Sequence, residues 1–177
     1  MTLYKVLDAD RRSCHGGDAV WVPGEWQPVV PQPLLCQRGW HLLSRPVAML
    51  AWWVPSGELW EAEGQGARSK DHTKTAWATA RIVRRLHMPT VPEMVSLAAD
   101  FAEHVLPVWE TAYPTDTRPR QAIEAARQRD ATAHAAARVA AAAAAYAAAA
   151  AAHAEAAAAR ETEEAWQDAQ VREVISR

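Results

Sequence analysis

The composition of the chain changes abruptly between Met88 and Pro92. The part before this point is rich in tryptophan, proline and glycine, and its apolar segments are short. The part after it has almost no glycine and contains a long tract of alanine. Glycine and proline favour turns, whereas alanine has the highest helix propensity. We therefore predict an α+β fold, with a small mixed-sheet, Trp-rich domain at residues 1–87 and an all-α region at residues 88–177.

Tryptophan, leucine and valine supply most of the apolar area available to the first domain. Eight of the nine tryptophans lie before residue 110, and each indole can bury on the order of 150–250 Å². Short runs of strand-forming residues between turn signals predict five strands. They are Leu3–Leu7, Ala19–Val22, Gly39–Leu43, Glu58–Gly64 and Thr75–Leu86. A helix is predicted at Ser44–Trp53, because Ser44 can cap it and Pro46 lies in its first turn.

Two helices are predicted at the start of the second region. Thr90 and Glu93 fit a capping box that begins the first of them. Its apolar face repeats at intervals of three and four residues, through Met94, Ala98, Phe101, Ala102 and Val105. Pro107 is expected to kink or end this helix, because proline has no amide hydrogen to donate. The second helix is predicted at Arg120–Arg129, with Asp116 or Thr117 as its cap.

The stretch at residues 130–177 is predicted to form one long, alanine-rich helix. Its larger side chains recur every seven residues, at Val139, Tyr146, His153 and Arg160. The other faces are almost pure alanine, and small side chains let helices approach closely. Each alanine buries little area, so a stable contact has to be long. We expect this helix to fold back on the preceding helices or to pair with a second copy, and we predict at least a dimer.

Two short motifs each hold a cysteine and a nearby histidine. SCHGG contains Cys14 and His15, and CQRGWHLL contains Cys36 and His41. Cysteine and histidine are zinc ligands, so these four residues form a candidate metal site. Their spacing does not match a common zinc pattern, and the adjacent glycines permit turns with the cysteines as small, free thiols. The main prediction is therefore no metal, and the zinc site stays open as an alternative.

A catalytic alternative draws on the same domain. Tyr4 lies on the first predicted strand, His15 and His41 lie in the two motifs, and Glu61 and Glu63 lie on a later strand. This order of strands, helix and late glutamates resembles the layout of ADP-ribosyltransferase-like folds. The resemblance implies an NAD-using enzyme in which these residues converge on the cofactor. The glutamates also fit a solvated strand face, so the main prediction has no catalytic residue and no cofactor.

The charge of the chain argues against nucleic acid as a partner. The formal net charge is −2, which lacks the basic footprint of nucleic-acid-binding proteins. The cluster at Arg81–Arg85 alternates with apolar residues, as in a strand with one solvated face. The first ten residues do not have the basic and apolar regions of a signal peptide, and we expect no contact with a membrane. The predicted location is the cytoplasm or a virion.

The two parts of the chain resemble two different families. Residues 3–86, through the motifs SCHGG, GEWQP, CQRGWHLL and LWEAEGQG, are similar to a domain of unknown function frequent in phage and bacterial proteins. Residues 97–160 resemble a helical family labelled putative immunity protein, on the motifs LPVWE and YPTDTRPRQAIEAAR. The chain departs from that family after RQRD, where it passes directly into alanine. The second resemblance implies binding of a toxin or another effector without catalysis; the first implies no established chemistry.

These observations predict a non-enzymatic, phage- or prophage-linked accessory or immunity-like protein. We expect it to act by binding a protein partner, such as a toxin or a phage or host protein, and by self-association through the alanine-rich helix. The candidate binding residues form a polar corner at the start of a helix, at Asp116, Arg118, Arg120 and Glu124. An NAD-using transferase and a virion structural component remain the two alternatives.

Overall fold

The computed structural model describes residues 2–14, 17–128 and 156–177. It confirms the predicted α+β class, with an antiparallel sheet in the N-terminal part followed by helices. The chain divides into two compact units. The barrel unit comprises Met1–Met88 with Val171–Arg177, and the helical unit comprises Pro89–Gln170. The predicted division into domains stays a prediction. A domain is a segment that can fold alone, and compactness does not test this.

Four strands form the barrel unit, and they close on themselves in the order β1-β2-β4-β3. Their bounds are β1 Leu3–Leu7, β2 Trp40–Leu43, β3 Glu58–Lys70 and β4 Lys74–Leu86. All four pairings are antiparallel. The register of β3 against β4 shifts twice, between Glu61 and Ala62 and between Gln65 and Arg68. Such irregularities bend a strand, which lets two long strands curve into a closed wall.

The interior of the barrel is filled by apolar side chains, as a small barrel requires. The core cluster consists of Leu3, Leu7, Trp21, Leu42, Trp60, Ala62, Ala80 and Ile82. Trp21 comes from the segment between β1 and β2 and meets Trp40 edge to face, with ring centroids 5.4 Å apart. In the wall of the barrel, the ring of Trp77 packs directly against the backbone of Gly64. A Cβ at this position would lie 2.4 Å from the ring, so only glycine fits without a shift.

The predicted strands of the barrel unit are largely confirmed. β1 has the predicted bounds, and β2 and β4 match within one residue. β3 continues to Lys70, six residues beyond its predicted end, because it pairs with β4 along that length. The strand predicted at Ala19–Val22 is wrong, since only an isolated bridge between Arg12 and Val20 forms there. The α-helix predicted at Ser44–Trp53 is a short 3₁₀ helix, Val47–Trp52.

The helical unit begins with α1, Val91–Ala112. Its predicted capping box is confirmed: Thr90 accepts from the backbone of Glu93, whose carboxylate accepts from the Thr90 amide at 2.7 Å. Of the two effects predicted for Pro107, an end to the helix is wrong, since α1 continues to Ala112 with Pro107 inside it; a kink stays a prediction. The carbonyl of Glu103, which loses its helical partner to the proline, belongs to an exposed residue, and Pro107 is exposed as well. Water can therefore satisfy that carbonyl.

The second helix, α2, spans Arg118–Arg127 and packs on α1. Their shared core is made of Ala99, Ala102, Leu106, Ile123 and Ala126. The predicted apolar face of α1 is only partly right, because Phe101 and Ala102 are buried whereas Met94, Ala98 and Val105 are half-buried. The helix buries a second stripe, in which Phe101 meets Trp166 with ring centroids 5.7 Å apart. Two buried stripes on one helix blur the single periodicity on which the prediction depended.

The third described helix, α3, spans Ala156–Ile175. In the helical unit, its Trp166 stacks on His104 at 3.9 Å, and Glu163 lies 2.9 Å from the Nε2 of the same histidine. In the barrel unit, Ile175 is buried and its carbonyl accepts from the His87 amide at 3.1 Å. The remainder of the predicted alanine-rich helix, at residues 130–155, lies outside the described residues. None of the helices in the described part of the chain is long and apolar enough to cross a membrane.

Candidate functional site

A cavity of about 550 Å³ lies in the barrel unit. Its walls come from β1, β2, the first residue of β4, the loops around Cys14 and Cys36, and the 3₁₀ helix. Three of the residues that the sequence singled out, Cys14, Cys36 and His41, line this one cavity. The fourth member of that set, His15, lies outside the described residues. The two cysteine-histidine motifs therefore converge on one place in the fold, although they are more than twenty residues apart in the sequence.

His41 closes the turn that precedes its own strand. Its Nε2 accepts a hydrogen bond of 2.9 Å from the backbone amide of Cys36, whose φ of +60° is a left-handed conformation. Gly39, between them, has a φ of +105° and is packed against Pro33 and the Trp77 carbonyl. Burial lowers the pKa of His41, and the positive charges of Lys5 and Lys74 lower it further. The imidazole is thus neutral at pH 7, with Nε2 already occupied as an acceptor.

Both cysteines are free, Cys14 half-buried and Cys36 exposed. Burial raises the pKa of the Cys14 thiol, and the nearby carboxylate of Asp8 adds to the effect. This thiol is therefore protonated and uncharged at neutral pH. Among the described residues, no group of three His, Cys, Asp or Glu side chains is placed to hold a metal ion. The zinc alternative also needs His15, which the structure does not describe, so it stays a prediction.

Lys5 is the least expected residue of the cavity. It lies on β1 between Leu3 and Leu7, which belong to the barrel core, and alternate residues of a strand share a face. Its ammonium group donates to the His41 carbonyl at 3.2 Å and lies 5.0 Å from the centre of the Trp21 ring. Burial lowers the pKa of Lys5 from 10.5 to about 8. A mostly charged ammonium group is therefore held inside the barrel at pH 7.

Two further cations line the same cavity. Lys74, the first residue of β4, lies with its ammonium group 5.1 Å from the centre of the Trp52 ring. The guanidinium of Arg38 donates to the Gln32 carbonyl at 2.7 Å. In the described part of the chain, neither these two residues nor Lys5 forms a salt bridge, and the lining contains no aspartate or glutamate.

The two acidic groups that act electrostatically on Cys14 and His41 are committed to turns. One oxygen of Asp71 accepts from the amides of Thr73 and Lys74 and from the Thr73 hydroxyl, at 2.7–2.9 Å. These hydrogen bonds hold the pKa of Asp71 below its usual value. One oxygen of Asp8 accepts from the amides of Asp10 and Arg12, at 2.9 and 2.8 Å. The cavity therefore combines three cations, the neutral Cys14 thiol and a neutral imidazole.

The sequence interpretation missed all three cations. Lys5 carried the clearest signal, because a lysine between two apolar residues on alternate positions of a strand faces the core of the sheet. The chain has only three lysines, Lys5, Lys70 and Lys74, and two of them line the cavity. No signal marked Arg38, whose position depends on the turn that His41 closes.

Of the described residues of the catalytic alternative, only His41 lines this cavity. Tyr4 is buried and lies opposite Glu61 in the register of β1 and β3. Glu61 forms an ion pair with Arg84 at 2.9 Å, and Glu63 forms one with Arg81 at 2.7 Å. Neither Tyr4 nor either glutamate lines the cavity that holds His41. Within the described residues, the transferase alternative thus lacks a common cleft, and it stays a prediction because His15 is not described.

The predicted polar corner lies in the helical unit and is held by ion pairs. The guanidinium of Arg118 donates two hydrogen bonds of 2.8 Å to the carboxylate of Asp116. The guanidinium of Arg120 donates three, of 2.6–2.9 Å, to the carboxylate of Glu110. The hydrogen bond from Arg118 lowers the pKa of Asp116 to about 2. Glu124 is exposed and forms no ion pair within the described part of the chain. Thr117 is the N-cap of α2, but its side chain makes no capping hydrogen bond.

The fold and these two sites define an α+β protein with a cation-lined cavity in a small barrel and a charged corner on a helical hairpin. Residues 92–159 match the model of a family described as Imm-5 like putative immunity protein. This match supports an immunity-like accessory role and the predicted resemblance of the C-terminal part. It covers α1 and α2, whereas the resemblance predicted for residues 3–86 stays a prediction. No curated protein and no solved structure matches the chain.

Proposed function

We propose that the chain is a non-enzymatic, immunity-like accessory protein that acts by binding a protein partner through its helical unit. The observation that carries this proposal is the family match at residues 92–159. That segment includes all four residues of the predicted binding corner. Proteins of this role act by occupying a surface of their target, so the proposal requires a preorganised contact surface and no reaction centre.

The corner has the composition of such a surface. Arginine and aromatic side chains are enriched among residues that dominate binding energies. Arg118 is 85% exposed although its guanidinium is fixed by Asp116. Tyr113 and Val108, at the end of α1, are 55% and 50% exposed. Bidentate pairs hold the arginines in place before a partner arrives, which lowers the entropy cost of binding.

A rescue selection tests the proposal and identifies the partner in the same experiment. Random gene fragments from the source genome are induced in a laboratory host, and fragments that arrest growth are retested with the full chain co-expressed. We expect at least one fragment whose toxicity the chain suppresses, and whose product binds the purified chain directly. The double variant Arg118→Ala, Arg120→Ala should lose rescue and weaken binding at least tenfold.

The control variant is Arg84→Ala, which removes an exposed, ion-paired arginine from the barrel unit. It should rescue as well as the unmodified chain. Failure to find any rescued fragment in a library of full genome coverage would count against the immunity-like role. Equal rescue by the double variant and the control would instead reject the charged corner as the binding surface.

Self-association through the alanine-rich tract is a separate part of the proposal. It rests on the sequence alone, because residues 129–155 lie outside the described structure. Sedimentation velocity at several concentrations should show at least a dimer at tens of micromolar. A monomer at that concentration would contradict this part of the proposal and leave partner binding to be judged by the rescue selection.

A further inference from the structure

We propose that the cavity of the barrel unit binds the phosphate group of a small phosphorylated compound, with Lys5 and Lys74 as its anchoring cations. This site is separate from the corner proposed for protein binding, since it lies in the other unit of the chain. The two proposals can therefore fail independently.

The first step of the argument is the position of Lys5. A buried ammonium group without a counter-ion is costly, and such groups in folded proteins are usually paired or functional. Lys5 sits on the core face of β1, where an apolar residue would fill the space between Leu3 and Leu7. Its single hydrogen bond goes to the His41 carbonyl, so two of its three donors have no partner in the described part of the chain.

The second step is the charge of the lining. Lys5, Arg38 and Lys74 line one cavity, and no described aspartate or glutamate does. The other ionisable groups there do not compensate, because the Cys14 thiol and the His41 imidazole are uncharged at neutral pH. A shortage of acid does not explain this, since the chain has 21 acidic and 19 basic residues. The cavity is electrostatically complementary to an anion.

The third step is the choice of anion. A carboxylate carries one negative charge and two oxygens, which would leave most of the donors in this cavity unmet. A phosphate monoester carries nearly two charges and three terminal oxygens at pH 7, which suits two lysines and an arginine. The volume of about 550 Å³ falls in the range of about 300–1,000 Å³ typical of small-molecule sites. Trp40 and Trp52 supply apolar walls for the organic part of the ligand.

Calorimetric titration of the full chain with matched probes tests this proposal. The probes are phenyl phosphate, inorganic phosphate, benzoate and phenol, at pH 7 and low salt. We expect saturable binding of phenyl phosphate, weaker binding of inorganic phosphate because it lacks the apolar part, and at least tenfold weaker binding of benzoate. Phenol should not bind measurably, because it has no charge.

The variants Lys5→Met and Lys74→Met should each weaken the binding of phenyl phosphate at least tenfold. The matched control is Lys70→Met, which removes the one lysine that is exposed and outside the lining, and it should change the binding less than twofold. Circular dichroism checks that each variant is folded. If Lys5→Met does not fold, the test rests on Lys74→Met. No saturable binding of either phosphate probe would overturn the proposal. So would benzoate binding as tightly as phenyl phosphate, or both cavity variants behaving like the control.

Discussion

The arginines of β4 and of α2 differ from the cations of the cavity in their ionic partners. Every arginine of β4 and of α2 forms an ion pair with a carboxylate: Arg81, Arg84, Arg85, Arg118, Arg120 and Arg127. The cations that line the cavity, Lys5, Arg38 and Lys74, form none in the described part of the chain. On β4 and α2 each arginine is paired with a carboxylate, whereas the cations that line the cavity are not.

The difference separates two uses of positive charge. Exposed ion pairs fix the direction of long side chains but contribute little to stability, because water screens them. A buried, unpaired lysine lowers stability, because its charged form loses hydration without a counter-ion. A residue that costs stability where an apolar one would fit is a candidate for function. Replacing a cavity cation and replacing a paired arginine should therefore change the free energy of unfolding by different amounts and in different directions.

The largest effect is expected from replacing Lys5 with methionine. Unfolded Lys5 holds its proton up to about pH 10.5 and folded Lys5 up to about pH 8. Between these values the unfolded state binds more protons, so stability rises with pH, by roughly 3 kcal/mol for this group in total. Lys5→Met removes the cost of the buried charge. It should therefore raise the free energy of unfolding at pH 7 by up to that amount and remove this rise with pH.

Urea unfolding at pH 7 to 10 measures both effects. Cys14 acts in the opposite direction, because its raised pKa makes the folded state keep a proton that the unfolded state loses near pH 9. The comparison is therefore made in a Cys14→Ser background, and His41 and Lys74, which also face Lys5 across the cavity, are left unchanged. Lys70→Met is the control and should leave stability within about 0.5 kcal/mol. If Lys5→Met lowers the free energy of unfolding at pH 7, the buried ammonium group does not cost stability, and the contrast with the paired arginines is wrong.

Lys5 also shows where sequence interpretation stops. Turn signals and alternation predicted β1, β2 and β4 almost to the residue, because those features are local. Trp21 was placed on a strand that does not form, although it is fully buried. Its burial depends on the closed barrel around it, which local sequence does not encode. Alternation on β1 places Lys5 on the core face, but the environment that it shares with Arg38 and Lys74 exists only after β1, β2 and β4 close.

The two cysteine-histidine motifs indicated a place in the fold but not the chemistry of that place. SCHGG and CQRGWHLL lie together in the fold, since Cys14, Cys36 and His41 line one cavity. Their spacing left open a metal site and a set of turns. The hydrogen bond from the Cys36 amide to His41 Nε2 became visible only in three dimensions. On α1, the capping box was predicted correctly because Thr90 and Glu93 are three residues apart, whereas the effect of Pro107 depended on which face is exposed.

A smaller effect is expected at the two helix starts of the helical unit. Thr90 caps α1 with its side chain, whereas Thr117 at the start of α2 makes no capping hydrogen bond. Thr90→Ala should lower the free energy of unfolding by about 1 kcal/mol, since an N-cap side chain contributes about that much. Thr117→Ala, the matched control, should lower it by less than half as much. Equal losses in urea unfolding would mean that the cap geometry does not decide stability here.

The next prediction concerns the cavity at acidic pH. The pKa of His41 is lowered by burial and by Lys5 and Lys74, so the unfolded state binds a proton there before the folded state does. The contribution of His41 to stability is therefore lost as the pH falls below about 6.5. His41→Gln keeps an acceptor for the Cys36 amide but does not titrate. Between pH 7 and pH 5 the unmodified protein should lose stability relative to this variant in thermal unfolding, and a constant difference would argue against the prediction.

The smallest effect on stability is expected from replacing an arginine of β4 that is paired with a carboxylate. Arg84 is 67% exposed and pairs with Glu61 at 2.9 Å on the outer wall of the barrel. Arg84→Ala should change the free energy of unfolding by less than about 0.5 kcal/mol, because an exposed pair gains little from its attraction in water. Replacing the partner, in Glu61→Gln, should change the free energy of unfolding by a similarly small amount. Adding 1 M salt should not enlarge either change. A loss above 1 kcal/mol in urea unfolding would show that the wall pairs stabilise the barrel, and the contrast with Lys5 would then rest on burial alone.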